Sequence, residues 1–152
     1  MEIYRKVADL EGALGRELGP TEWMTIDQAR VDRFAESTED RQWIHVDPER
    51  AASGPFGATV AHGYLTLALV PHFVNSLRRL ENLEMSLNYG LNKVRFPAAV
   101  PVGSRIRART MLVDLEKLGD RGAQVVLRTT VEIHGGDKPA CVAEAVSRYY
   151  FR

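Results

Sequence analysis

Apolar and polar positions along the chain follow two regimes, helical spacing in the first half and alternation in the second. After a short lead of helical character, Gly19-Pro20 breaks the chain, and Thr21 to Ile26 reads as a strand anchored by Trp23 and Met24. Asp27 is placed to cap a helix whose buried face carries Val31, Phe34, Ala35 and Thr38. Glu39 to Val46 reads as a connecting segment. Asp47-Pro48-Glu49 then has the composition of a helix start, an Asp N-cap with proline at the first helical position. Gly54-Pro55-Phe56-Gly57 is a loop, and His62 to Val70 is apolar nearly all round, as a helix enclosed by protein must be. Pro71 lacks a backbone donor, so the pattern predicts a kink or break there and a helix resuming toward Leu80.

From Met85 the pattern alternates through Leu87, Tyr89 and Leu91, and Val94 and Phe96 then shift the phase. That shift predicts a bulge between Gly90 and Lys93. Ser104 to Leu115, Gln124 to His134 and Ala140 to Phe151 are further strands, separated by Gly119–Gly122 and Gly135–Lys138 turns. One enclosed helix followed by a long-stranded antiparallel meander is an α+β layout, with the sheet wrapped on the helix. Its 152 residues suit one domain spanning 1–152.

Composition narrows the function. Twenty basic residues balance twenty acidic ones, so no global field draws the chain to nucleic acid or to an anionic membrane. The first residues mix charges throughout, and the most apolar stretch, Tyr64 to Val74, is far shorter than the ~20 residues a spanning helix needs. Cys141 stands alone, which together with the missing signal peptide points to a reducing, cytoplasmic setting. The four histidines lack HExxH or comparable ligand spacing, and no phosphate-binding glycine loop occurs, so neither metal nor nucleotide cofactor is expected.

The candidate chemistry lies in Ser37-Thr38-Glu39-Asp40-Arg41-Gln42-Trp43-Ile44-His45, where a carboxylate precedes an imidazole by five positions. In a loop both reach one point, and an Asp/His pair sharing one water can remove and return a proton near neutral pH. The plainer alternative makes Asp40 a turn-capping carboxylate and His45 a partly buried, backbone-satisfied ring. Asp47 already has work as a helix cap.

Phe34 to Ala52 resembles the hydratase signature of the MaoC-like, (R)-specific enoyl-CoA hydratase family. Ala61-His62-Gly63-Tyr64-Leu65 is similar to that family's His-Gly start of a central helix, and Val94-Arg95-Phe96-Pro97 with Pro101-Val102-Gly103 is similar to the strand and turn that follow. The resemblance implies a hot-dog fold, a homodimer joined edge to edge, and addition of water to an enoyl-CoA with no cofactor. It further implies that Asp40 and His45 activate the water while the Gly63 N–H faces the thioester oxygen, where charge develops. Where the commonest signature reads Gly-Asp-x-Asn-Pro, this chain reads Glu39-Asp40-Arg41-Gln42-Trp43, as in the nodulation-protein-N-like branch, which leaves the substrate open.

Further residues admit two readings each. His62 either touches substrate or holds the helix start. Asn92, Lys93 and Arg95 either aim at an anionic CoA from the bulge or form a solvated edge. Arg105, Arg107 and Arg109 form a one-sided stripe, toward solvent or toward CoA phosphates. Tyr89, Tyr149 and Tyr150 are expected to pack, and Cys141 to fill core space. Two rival functions share the fold: a thioesterase, which would aim water at the carbonyl carbon, and a non-catalytic acyl-thioester-binding protein.

Overall fold

The computed structural model describes residues 1–152 and shows a long antiparallel sheet bent around one helix. The elements in chain order are β1 (Glu2–Tyr4), α1 (Val7–Glu11), β2 (Glu17–Leu18), β3 (Met24–Thr25), α2 (Gln28–Thr38), α3 (Trp43–Val46) and α4 (Pro48–Ala52). They are followed by α5 (Gly63–Leu77), β4 (Arg78–Leu80), β5 (Leu83–Arg95), β6 (Arg105–Leu118), β7 (Gly122–Ile133) and β8 (Cys141–Phe151). The sheet runs β2-β6-β7-β8-β5 with β3 also on β6, every pair antiparallel. β1 and β4 form a separate parallel pair.

The meander follows from the sequence pattern. Gly119 and Gly135 take φ of 71° and 74°, left-handed geometry that only glycine adopts at no steric cost, and so turn β6 into β7 and leave β7. Ile106, Ala108 and Leu112 of β6, Val125, Leu127 and Val131 of β7, and Ala143, Tyr149 and Phe151 of β8 face inward. They meet Leu65, Leu69, Val70, Phe73 and Val74 of α5 in one core. The Asp27 side chain accepts the Arg30 N–H at 2.8 Å and Asp47 accepts the Arg50 N–H at 3.1 Å, so both predicted caps form. The predicted phase shift in β5 is a real irregularity, with register shifts between Asn88 and Gly90 and between Leu91 and Lys93.

Several expectations need correction. The lead is not simply helical: only Val7–Glu11 is helix, flanked by β1 and β2. The strand expected over Thr21 to Ile26 shrinks to Met24–Thr25. The segment expected to connect α2 to α4 contains the single turn α3. Pro71 does not break α5, which runs unbroken to Leu77 and then gives way to β4 rather than continuing to Leu80. A proline inside a helix costs ~3 kcal/mol, whereas burying one large apolar side chain contributes ~1.5–3 kcal/mol. Leu69 and Val70 before Pro71, and Phe73 and Val74 after it, are all buried, so burial wins. Tyr149 packs inside as expected, but Tyr89 is 57% exposed, with the Arg148 guanidinium over its ring.

β5 closes one edge of the sheet and is exposed along nearly its whole length, Met85, Leu87, Tyr89 and Leu91 included. No helix is long and apolar enough to cross a membrane.

Candidate active site

The site is assembled where α2, α3 and the start of α5 meet. Helix α2 stops at Thr38, whose hydroxyl donates back to the Phe34 carbonyl at 2.7 Å. Glu39 then reverses the chain with φ 62° and ψ 15°. The departure from glycine at this position therefore keeps the left-handed turn but makes a glutamate adopt it, at a cost of about 1–2 kcal/mol. Asp40 follows, exposed, and α3 lifts His45 into the interior. Trp43, the other departure, sits under the Arg50 guanidinium at 4.3 Å from its ring centroid. A Cβ on Gly54 would lie 3.1 Å from the Trp43 ring, so the tryptophan binds α3 to α4 and to the loop that follows.

The orientation of His45 is tightly specified. Its Nδ1–H donates to the Val60 carbonyl at 2.6 Å, and because a carbonyl only accepts, this bond leaves the Nε2 lone pair free in the neutral ring. The Val60 N–H returns to the Ile44 carbonyl at 3.0 Å, and the neighbouring Ala61 N–H is bonded to the Val100 carbonyl at 2.8 Å. From the other side the Gln28 amide donates to the His45 carbonyl at 2.7 Å and accepts the Thr59 hydroxyl at 2.6 Å. Burial pushes the His45 pKa below the ordinary 6.5, and His62 adds to the effect, against the Val60 hydrogen bond and the Asp40 carboxylate. At neutral pH His45 is an uncharged base.

His62 binds the pair together. Its Nε2–H donates to the Asp40 backbone carbonyl at 2.8 Å, and its ring stacks on that of His45 at 3.8 Å and 21°. One nitrogen from each ring and one oxygen of Asp40 lie within 4.8 Å of one another. Nearly parallel stacked rings carry their lone pairs side by side, however, and a tetrahedral ion needs them to converge. A water between Asp40 and His45 suits the arrangement better.

Directly after His62, Gly63 opens α5. The first N–H groups of a helix have no acceptor within it, and the His62 side chain does not cap this one. The N-terminus of α5 thus offers donors and a positive dipole end beside Asp40 and His45. A Cβ at Gly63 would lie 3.0 Å from the Phe96 ring, so the glycine lets Phe96 close over the helix start. Asp40, His45, His62 and Gly63 are accordingly brought together. Asn92, Lys93 and Arg95 are exposed on β5, and the Arg95 guanidinium donates only to its neighbour's carbonyl, that of Val94. The arginine stripe is largely paired: Arg107 and Arg109 both bind Glu132, at 2.8 and 3.1 Å, and hold its carboxyl below the usual range. Cys141 is fully buried, and burial pushes its thiol up to about 11.

Gln28, Thr59 and the Val60 carbonyl escaped sequence reading. Gln28 directly follows a helix cap, and nothing in its type or spacing separates it from any solvated first-turn residue.

One turn beyond the helix start, an apolar cavity of about 400 Å³ lies between α5 and the β5–β8 edge, lined among others by Leu67, Ala68, Pro71, Tyr89 and Leu91.

An antiparallel sheet in this order around a single helix is a hot-dog fold, and the class it defines here is that of the MaoC-like dehydratases. The chain belongs to the MaoC-like family, whose model for the MaoC like domain matches residues 9–134. It is 54% identical over 149 residues to 3-hydroxyacyl-thioester dehydratase Z of Mycobacterium tuberculosis, covering 98% of this chain and 99% of that one. Nodulation protein N of Rhizobium leguminosarum bv. viciae is 43% identical, over 95% of this chain and 91% of that protein. Among solved structures, the (R)-hydratase from A. caviae involved in PHA biosynthesis superposes with a TM-score of 0.71 at 25% identity, covering 88% and 94% of the two chains.

Proposed function

We propose that this protein adds water, reversibly, across the double bond of a trans-2-enoyl thioester of the CoA type, giving the (R)-3-hydroxyacyl thioester in fatty acid metabolism. The observation that carries the reading is the neutral His45 imidazole, whose Nδ1–H is held by Val60 so that Nε2 keeps its lone pair, with a ring nitrogen within 4.8 Å of an Asp40 carboxylate oxygen at the open start of α5. The dehydratase and (R)-hydratase names of its relatives support it.

In this mechanism a water bound between Asp40 and His45 gives one proton to His45 Nε2 as its oxygen bonds to the β-carbon. The π electrons move to the thioester oxygen as an enolate, which the Gly63 N–H stabilises. The imidazolium then returns that proton to the α-carbon and the carbonyl reforms. His45 ends as it began, and no cofactor takes part. Asp40 accepts a hydrogen bond from the water's other O–H, which becomes the 3-hydroxyl, and balances the transient imidazolium charge.

Residues 1–152 act as one domain in a cytoplasmic homodimer, the two copies meeting along β5. The exposed apolar side chains of that edge strand support this pairing, since an open edge invites a second strand. Comparing a 2-enoyl thioester with its saturated counterpart distinguishes this reading from a thioesterase. Water uptake at the double bond with the thioester intact is expected. Release of free thiol from both substrates at equal rates would identify hydrolysis instead.

A further inference from the structure

Arg78 is the first residue after α5, and its extended backbone, φ −141° and ψ 156°, turns the chain into β4. Its side chain points inward and is 5% exposed. The guanidinium donates to the Tyr149 hydroxyl and lies 5.1 Å from that ring's centroid, but its Nε has no partner and no carboxylate pairs with it. Other arginines of the sheet and termini, Arg5, Arg16, Arg107, Arg109 and Arg128, each have an acid. A buried cation with one neutral acceptor is expensive, and the expense is offset only if an anion comes to it.

The surroundings define what that anion is. Arg78 lines a cavity of about 260 Å³ together with Asn75, Ser86, Asn88, Ser147 and Tyr149, and no acidic residue contributes to its wall. Val70, Pro71, Asn88, Ala145 and Ser147 line both this cavity and the apolar one of about 400 Å³, so the two form one groove, apolar first and polar at its end. Gly63, Leu67, Pro71 and Asn75 recur every four residues and therefore share one face of α5, and Arg78 follows directly where the helix ends. The helix rise puts the polar end on the order of 20 Å from the Gly63 N–H.

We propose that the end of this groove around Arg78 is a carboxylate-binding subsite, so that the preferred acyl thioester is long and carries a carboxylate at the far end of its chain. The proposal rests on the acyl-thioester reading of the site. With the thioester oxygen at Gly63, the methylene chain lies against Leu67 and Pro71 and the terminal carboxylate meets the guanidinium. The planar guanidinium has unused N–H groups to take both carboxylate oxygens, which a methyl terminus would leave unsatisfied.

The experiment measures two quantities on the full chain. Calorimetry compares binding of two saturated CoA thioesters of equal long chain length, one ending in methyl and one in carboxylate. Turnover of crotonyl-CoA, too short to reach Arg78, reports on the chemistry alone. The wild type is expected to bind the carboxylate-ended thioester at least tenfold tighter, and Arg78→Met to abolish that ratio; reading the ratio cancels any general loss of affinity. Equal binding by the wild type, or a ratio retained in Arg78→Met, overturns the subsite and shows that Arg78 is neutralised from elsewhere, for instance by a second subunit. Where Arg78→Met does not fold, Asn75→Asp, at an exposed position, decides: a several-fold fall in the ratio supports the subsite and an unchanged ratio rejects it. A preserved binding ratio without crotonyl-CoA turnover would remove the hydratase reading and leave the subsite standing.

Discussion

His45 and Asp40 stand five residues apart in the sequence, and their types alone single them out as a possible proton-transfer pair. What makes His45 a base is not visible at that level, because the group that fixes it is the Val60 carbonyl, which any residue at position 60 would supply. Burial then lowers its pKa below 6.5. Because the folded-state value is depressed, the unfolded chain takes up the proton first. His45's contribution to stability is therefore intact above about pH 6.5 and lost as pH falls through the folded pKa. The same titration removes the free lone pair, so kcat/KM for hydration should stay level down to about pH 6.5 and fall only at lower pH. An acid limb centred at or above the ordinary imidazole value would contradict the assignment. Gln28 acts one step further out by holding the His45 carbonyl and the Thr59 hydroxyl. Gln28→Leu keeps the bulk and loses both bonds. It is expected to lower kcat on the order of tenfold with little change in KM, as a misplaced base does, whereas unchanged kcat with a lower melting temperature would make Gln28 purely structural.

At the level of elements, the caps at Asp27 and Asp47, the existence of α5 and the strand alternation were legible because each is a local pattern, whereas the expected enclosure of α5 is only one-sided, with Tyr64 70% exposed. Helix α3 was not: Trp43–Val46 is one turn, too short for any periodicity, and it exists because Trp43 packs on Arg50 and Gly54 while Ile44 and His45 bond to Val60. The N-terminal β1 was hidden for a similar reason, since its partner, β4, lies more than seventy residues away. Continuity of α5 through Pro71 depends on core burial on both sides, a tertiary effect that outweighs local preference. Asp47 and Asp40 make a useful contrast, neighbouring carboxylates with different work. Asp47→Ala should cost about 1 kcal/mol of stability, seen as a lower denaturation midpoint, by removing the cap of α4, with the acid limb of the pH profile unmoved. A shifted limb would mean that Asp47 belongs to the proton-transfer group.

On the scale of the whole molecule, the sheet wraps α5 on one side and ends at β5, whose apolar side chains face outward. The overall arrangement was readable from the order of the strands and the apolar helix before them. The exposure of β5 was not, because alternation reports one covered face without saying what covers it. Leu87→Lys places a charge in that surface and should convert a dimer to monomers in sedimentation; a monomeric wild type would contradict pairing through β5. The proposed hydration centre is smaller than the assembly and consists of two side chains and one backbone donor at the start of α5. Hydration of crotonyl-CoA by wild type and His45→Gln tests it most directly. A hundredfold or larger loss, on the order expected for removing a general base, is the predicted result, and equal rates in the two folded proteins would contradict it.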